Sequence, residues 1–192
     1  KRFIVVRDVL DAFEQAFIDE MLTYEIGDPM QDGTKLGPMQ SVKARDEIHR
    51  QVTDSVRAGA RLLLGGHVPE RPGAWYPATV LSDVRAGQPA HDEEVFGPVA
   101  STVRVRDYEE ALEIANRGQF GLSAGIVTNS LKHARHFRRH IRAGMVMINL
   151  PTAGVDYHVP FGGTRKSSYG AREQGFAAVE FYTQTKTVYI GG

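Results

Sequence analysis

The chain has 192 residues, of which 42% are hydrophobic and 24% are charged, a balance typical of a folded protein rather than a disordered one. Its 23 basic and 23 acidic residues cancel, so no overall field would attract nucleic acid or an anionic membrane, and we expect neither as a partner. Cysteine is absent, which excludes disulfides, thiolate metal ligands and a thiol nucleophile within these residues and suits a cytoplasmic protein.

The first third of the chain predicts a strand followed by two helices. Phe3 to Val6 forms the strand, and Asp8 is the expected N-cap of a helix that Gly27-Asp28-Pro29 ends. Ser41 is expected to cap a second helix, which ends at Gly59. The buried face of that second helix comprises Ile48, Val52 and Val56.

The middle of the chain alternates between short apolar runs and helices. Leu62 to Leu64 predicts a short strand, Trp75 to Leu81 an extended segment, and Val99 to Val105 an alternating strand. Because Pro77 has no N–H to donate, we expect the extended segment to lie at the edge of a sheet. Asp107 is the expected cap of the helix that follows.

The last third continues the alternation of strands and helices and then passes into a long loop and a tail. Ser123 to Thr128 and Met145 to Ile148 predict strands, the second one buried, on either side of a strongly basic helix at 130–142. A loop rich in glycine and proline covers 150–175, and Phe181 to Ile190 alternates as a strand that needs a sheet edge, such as one on another subunit. Together the elements predict an α/β fold with a mainly parallel sheet and helices on both faces.

One catalytic motif, a serine flanked by glycines, lies between the wrong secondary-structure elements. The segment 121–125 matches the Gly-x-Ser-x-Gly elbow of serine hydrolases, and Asp156 and His158 follow in the order of their triad. An elbow needs a strand before its serine and a helix after it, whereas here a helix precedes and the β-rich stretch 126–128 follows. We therefore favour a glycine-flanked strand start, with a hydrolase using Ser123 as a minor alternative.

Two other groupings favour structural interpretations. Tyr182 and Lys186 have the spacing of the pair in short-chain reductases, but a strand would place them ~13 Å apart. His133, His136 and His140 share a helical face, yet four arginines crowd the same segment and would oppose a cation. A solvated basic face is therefore favoured, and no metal site is expected.

The acidic turn before the longest strand carries the strongest chemical signal. The run 93–99, Glu-Glu-Val-Phe-Gly-Pro-Val, places a carboxylate two residues before a ring and then turns through Gly-Pro into a strand. Glycine and proline fix the backbone direction there. A carboxylate so held could accept from two ribose hydroxyls while the ring lies against a flat heterocycle. A solvated acidic turn is the alternative.

That run resembles the Glu-Glu-x-Phe-Gly-Pro-Val motif of the aldehyde dehydrogenase superfamily, and further segments match this family in order along the whole chain. They are Gly27-Asp28-Pro29, Gly37-Pro38, Leu64-Gly65-Gly66, Asn116 with Phe120 to Ala124, Gly144 to Asn149, Pro160 to Gly163, Arg172-Glu173, and Tyr182-Thr183 with Lys186 to Val188. The resemblance implies that residues 1–178 are the C-terminal part of the catalytic domain. It also implies that 179–192 form an oligomerisation strand or tail, with 180–190 joining the subunits of a homo-oligomer.

The resemblance assigns roles to individual residues. Glu94 resembles the glutamate that binds the nicotinamide ribose of NAD or NADP, and Phe96 resembles the aromatic residue beside it. Asn149 and the loop 150–161 resemble the wall of the substrate pocket, with Phe161 nearest the aldehyde. The expected pocket residues are Asn149, Pro151, Thr152 and Phe161.

The family's reaction needs groups that this chain does not contain. A cysteine thiolate attacks the aldehyde, hydride passes to NAD(P)+, and a glutamate base activates water. In the family the cysteine precedes the strand that 3–6 resembles, and no dinucleotide or Walker glycine loop occurs here. We therefore expect no catalytic residue in this chain, which we interpret as an inactive fragment of an aldehyde-oxidising enzyme. A non-catalytic assembly module or pseudoenzyme remnant is the alternative.

Two stretches narrow the resemblance to α-ketoglutaric semialdehyde dehydrogenases, which oxidise 2,5-dioxopentanoate. They are 149–161 and 167–175, although Thr164-Arg165-Lys166 and Ala171 depart from that subfamily's pattern. An anionic aldehyde requires a cation in the pocket. The candidates are Arg165, Lys166 and Arg172.

Overall fold

The computed structural model describes residues 1–192, and its contacts divide the chain into two compact units, Lys1–Ala111 and Leu112–Gly192. The first unit contains strands β1 (Arg2–Val6), β2 (Arg61–Leu64), β3 (Thr79–Ser82) and β4 (Val99–Val105), and helices α1 (Arg7–Leu22), α2 (Val42–Arg57) and α3 (Pro89–Asp92). The strand order is β1-β4-β3-β2, in which only the β2–β3 pair is antiparallel. The expected α/β architecture with a mainly parallel sheet is confirmed.

The two central strands form the core of the first unit. Every residue of β3 is buried, and Arg104 is the only exposed residue of β4. Their buried hydroxyls need hydrogen-bond partners. Glu14 of α1 provides one, since its Oε1 accepts from Ser82 Oγ and Thr102 Oγ1 at 2.5 Å each. Glu14 is itself only 8% exposed, so a carboxylate ties α1 to both central strands.

β3 corrects the edge position expected from Pro77. The strand begins at Thr79, so the ladder requires no N–H from the proline, whose carbonyl accepts from Thr79 Oγ1 at 2.9 Å. β3 pairs with β4 on one side and with β2 on the other. A proline just before a strand therefore says nothing about whether that strand is central.

Both expected ends of α1 are wrong. The N-cap is Val6, which makes no side-chain cap bond, because β1 runs directly into the helix. Asp8 lies exposed in the first turn, 3.4 Å from Arg7. The helix ends at Leu22, where the Thr23 hydroxyl donates to the carbonyl of Glu20 at 2.8 Å, well before the predicted Gly-Asp-Pro stop.

Ser41 caps α2 as expected, accepting from the N–H of Ala44 at 3.1 Å. The change Ser41→Ala should lower the free energy of unfolding by about 1 kcal/mol, because that N–H loses its partner. A urea titration measures it. Asp8→Ala is the matched control and should cost only about 0.3 kcal/mol through the helix dipole. Equal losses in the two variants would show that the caps are wrongly assigned.

The end of α2 and the start of α4 agree with the sequence-based expectations, apart from the exposure of Val56. Ile48 and Val52 are buried as expected, whereas Val56 is 38% exposed. Gly59 follows the last helical turn with a φ of 99°, a conformation that favours glycine. Asp107 accepts from the N–H of Glu110 at 2.9 Å and so caps α4 (Tyr108–Arg117), which spans the division between the units.

The second unit contains shorter elements. They are β5 (Phe120–Gly121), β6 (Ser123–Ile126), α5 (Leu131–His140), β7 (Met145–Ile148), β8 (Thr164–Arg165) and α6 (Ala177–Tyr182). β6 and β7 pair in parallel, and β5 pairs with β8 in antiparallel fashion. β7 is only half-buried, which corrects the buried strand expected from its apolar sequence. No helix in the chain is both long enough and apolar enough to cross a membrane.

The expected C-terminal strand is absent. Phe181 and Tyr182 end helix α6, and residues 183–192 form neither helix nor strand. A strand leaves its backbone N–H and C=O groups unpaired unless a neighbouring edge accepts them, and no strand of this chain pairs with the tail. The joining of subunits through 180–190 therefore stays a prediction.

Candidate functional site

The acidic turn lies between α3 and β4 and packs on α2. A side chain at Gly97 would overlap Ile48 Cδ1, so the turn needs glycine to approach that helix. The carbonyl of Pro98 then accepts from the N–H of Thr79 at 2.9 Å and starts the β3–β4 ladder. On this fixed turn Glu94 is exposed, and Phe96 is 82% exposed.

The two neighbouring carboxylates have different surroundings. Glu93 Oε2 accepts from Gln51 Nε2 at 2.8 Å and from Arg50 Nη2 at 3.0 Å. Hydrogen bonds to Glu47 and to Glu93 raise the pKa of Arg50, so its guanidinium stays charged. No protein group donates to the carboxylate of Glu94, whose main-chain carbonyl accepts from Gln51 Nε2 at 3.3 Å.

The amino end of β1 lies beside the same turn. Burial lowers the pKa of Arg2, against the opposing charge of Asp92. Arg2 Nη1 is buried and has no hydrogen-bond partner. The first unit therefore brings the start of β1 within electrostatic reach of Asp92, at the end of α3.

This turn can present an acceptor and a flat ring together. A carboxylate can accept hydrogen bonds from two vicinal hydroxyls, and an exposed ring can stack on a heterocycle. Glu94 and Phe96 are thus free to act as the sequence predicts, although their cofactor role stays a prediction. Sequence reasoning missed Gln51 and Arg50. The available signal was a glutamine three residues after Ile48, on the buried face of α2.

In the second unit the side chain of Asn149 is hydrogen-bonded to the main chain of Thr128. Its φ is 56°, in the left-handed region, and its Oδ1 accepts from the N–H of Thr128 at 2.8 Å. Its Nδ2 donates to the Thr128 carbonyl at 3.0 Å. Each atom of the amide makes one hydrogen bond to Thr128, so Asn149 fixes where the following loop leaves β7, while one N–H and one oxygen lone pair of the exposed amide stay available.

The loop 150–161 is exposed at one end and anchored at the other. Pro151 and Thr152 are exposed, whereas Phe161 is half-buried. The N–H of Phe161 donates to the Glu173 carbonyl at 2.6 Å, and the return bond measures 2.9 Å. Phe161 is therefore better anchored than Pro151 and Thr152, the other expected pocket residues of this loop. That these residues bind the aldehyde stays a prediction.

The three candidate cations are all engaged by the protein. The guanidinium of Arg165 donates to the carbonyls of Gly118 and Asn116, and that of Arg172 donates to the carbonyl of Gly163. Lys166 Nζ donates to Gln119 Oε1 at 2.7 Å and is exposed. The two arginines hold loops together here, which their sequence positions did not indicate.

The alternative patterns find no support in the geometry. Ser123 is the first residue of β6, so a strand follows it where a hydrolase elbow needs a helix. Tyr182 ends α6 and Lys186 lies in the irregular tail, so neither the reductase arrangement nor the expected strand occurs. The rings of His136 and His140 stack 3.9 Å apart. No group of three or more His, Cys, Asp or Glu residues is placed to hold a metal ion.

Comparison with known proteins gives a consistent result. The sequence is 42% identical over 191 residues to the succinate-semialdehyde dehydrogenase (NADP+) of Mycolicibacterium paratuberculosis, covering 100% of this chain and 40% of that protein. An NAD-dependent aldehyde dehydrogenase from Sinorhizobium meliloti superposes with a TM-score of 0.92 at 35% identity, covering 98% of this chain and 37% of that one. Aldehyde dehydrogenase 21 from Physcomitrella patens, in complex with the reaction product succinate, gives 0.88 at 32% identity, covering 94% and 37%.

The match extends over nearly the whole chain, although the chain spans only about 40% of the length of these relatives. The sequence model of the Aldehyde dehydrogenase family matches residues 1–188. The chain therefore belongs to the aldehyde dehydrogenase family.

Proposed function

We propose that this chain is the C-terminal part of a cytoplasmic, NAD(P)+-dependent semialdehyde dehydrogenase. In this proposal the turn at Glu94 and Phe96 contacts the nicotinamide ribose, and the loop that ends at Phe161 contacts the aldehyde. The observation that carries it is the exposed Glu94 carboxylate, which no protein donor occupies, two residues before an exposed ring. Membership of the family and the named relatives support the reaction class.

The residues of this chain fit the nicotinamide end of the cofactor. Bound NAD(P)+ supplies the hydride acceptor. Glu94 would accept from the ribose hydroxyls, and Phe96 would limit the movement of the ring next to it. The thiol that such a reaction needs is not in this chain.

The substrate we propose is an aldehyde that also carries a carboxylate. The resemblance of 149–161 favours 2,5-dioxopentanoate, whereas the Mycolicibacterium paratuberculosis relative is named for succinate semialdehyde. Both molecules place an anion at the end opposite the aldehyde. Lys166 is the cation we assign to that anion, because its one bond is to an exposed side-chain amide, whereas Arg165 and Arg172 hold main-chain carbonyls.

We also propose that the tail joins subunits of a homo-oligomer. Val188, Tyr189 and Ile190 are 64%, 94% and 91% exposed, and a run of large apolar side chains in water favours association. The backbone of 183–192 has no ladder partner in the single chain and would gain one at another subunit's sheet edge.

The reaction is tested by joining this chain to the part of the M. paratuberculosis enzyme that precedes the matched segment. The chain alone should reduce no NAD(P)+, because it has no thiol. The joined enzyme should reduce it at 340 nm, with a higher kcat/KM for 2,5-dioxopentanoate than for succinate semialdehyde. Glu94→Ala should raise its KM for NAD(P)+ at least about tenfold, since two charge-assisted hydrogen bonds are lost.

Each outcome bears on one alternative. Turnover by the chain alone would overturn the view that it lacks the nucleophile. A joined enzyme that folds and assembles but never reduces NAD(P)+ would favour a non-catalytic assembly module. An active joined enzyme whose cofactor KM does not respond to Glu94→Ala would remove the role assigned to the turn.

A further inference from the structure

The most unusual polar arrangement outside the proposed contacts is the link between α2 and the acidic turn. Gln51 is only 5% exposed, yet it is a polar residue on the buried face of the helix. Its Nε2 lies 2.8 Å from Glu93 Oε2 and 3.3 Å from the carbonyl oxygen of Glu94. One buried amide thus contacts the side chain of one acidic residue and the main chain of the next.

This link determines which carboxylate is free. Glu93 has extended backbone angles, φ −95° and ψ 164°, so successive side chains there point to opposite sides. With the Glu93 side chain drawn toward α2, the side chain of Glu94 is directed away from that helix. The two adjacent acids therefore divide into an anchor and an exposed acceptor.

Gln51 is better suited to this task than Arg50. The guanidinium of Arg50 donates to the same Glu93 oxygen at 3.0 Å, but it also bonds Glu47 and Asp54 on its own helix and is 44% exposed. Water and salt weaken such a surface pair. Glu93 is itself 44% exposed, but the amide of Gln51 is buried, so the donor side of this bond is shielded from water and its loss leaves Glu93 without a buried donor.

We propose that Gln51 is a positioning residue for the cofactor, which holds Glu93 against α2 so that Glu94 is presented to the nicotinamide ribose. This rests on the proposed function of Glu94. Gln51 itself touches no ligand in this scheme. It acts through the backbone of the turn.

Measurements on the chain alone test whether Gln51 holds the turn in place. Backbone order parameters of Glu94 to Phe96 in Gln51→Leu, a change of similar volume, should fall from about 0.85 to below about 0.6. Those of β4 should not change. Arg57→Ala is the matched control, because Arg57 ends the same helix and pairs only with Asp54 on the surface. Unchanged order at 94–96 in Gln51→Leu would overturn the proposal.

The joined enzyme tests the consequence for binding. Gln51→Leu should raise the KM for NAD(P)+ about tenfold, while kcat at saturating cofactor and the affinity for adenosine monophosphate, which probes the other end of the cofactor site, stay the same. The double change Q51E/E93Q exchanges donor and acceptor in the side-chain bond but leaves the Glu94 carbonyl without a donor, so it should restore the cofactor KM only in part. An equal loss of affinity for the adenosine nucleotide would show a general structural defect and overturn the proposal.

The two proposals fail in different ways. If the joined wild-type enzyme shows no activity, the proposed function fails, while the order parameters still decide whether Gln51 holds the turn. If the enzyme is active and Glu94→Ala raises the cofactor KM but Gln51→Leu does not, only the role of Gln51 is rejected.

Discussion

Replacing Glu14 with alanine should lower the free energy of unfolding by about 3 kcal/mol, because two buried hydroxyls lose their acceptor and a cavity opens between α1 and the sheet. The carboxylate is 8% exposed and accepts from Ser82 and Thr102 at 2.5 Å each. That loss is a large share of the stability of an ordinary domain. Urea unfolding followed by far-UV circular dichroism measures it.

A matched series separates the hydrogen bonds from the packing. Glu14→Gln keeps an acceptor oxygen in place and should cost no more than about 1 kcal/mol. Glu14→Leu fills the space but leaves Ser82 without this acceptor and Thr102 with only the long bond of 3.5 Å to the Leu81 carbonyl, so it should lose nearly as much stability as alanine. Adding Ser82→Ala and Thr102→Val to Glu14→Leu should recover much of the loss, since an apolar cluster needs no partners. A Glu14→Gln variant as unstable as Glu14→Ala would contradict this account.

Elements with strong local signals were predictable from the sequence. The alternation of Val99 to Val105 gives β4 with both ends correct, and the serine at 41 gives the cap of α2. Glu14 was missed because its burial depends on hydroxyls 68 and 88 residues away. A one-dimensional pattern shows the position of an acid on a helix but not the donors that make its burial favourable.

The candidate site also contains some features that were predictable from the sequence and others that were not. The turn at Glu94 and Phe96 was predictable, because glycine and proline fix its backbone locally and the motif is contiguous. The engagement of Arg165 was not, because its carbonyl partners lie 47 and 49 residues earlier. The tail was misjudged for a related reason, since alternation at 181–190 describes a strand only when an edge pairs with it, and no strand of the single chain does so.

Among the glycines of the second unit, Gly144 is the one where an added Cβ would come closest to main chain, in the loop before β8. A Cβ at Gly144 would overlap the carbonyl oxygen of Gly162 and lie 2.7 Å from Gly163 Cα. Gly144 cannot withdraw easily, because its N–H donates to the carbonyl of Gly121 at 2.9 Å at the start of β7. The residues next to Phe161 would therefore have to move.

Gly144→Ala should consequently destabilise the second unit by about 3 kcal/mol, since backbone atoms cannot rotate out of the way as side chains do. In the joined enzyme it should raise the KM for the aldehyde about tenfold and leave the KM for NAD(P)+ unchanged, because the displaced loop carries Phe161 while Glu94 lies in the other unit. Gly154→Ala is the control in the same loop. Its φ is 84° and no atom lies within 4 Å, so it should cost only about 1 kcal/mol of backbone strain. An aldehyde KM that does not respond to Gly144→Ala, despite the loss of stability, would place the aldehyde away from Phe161.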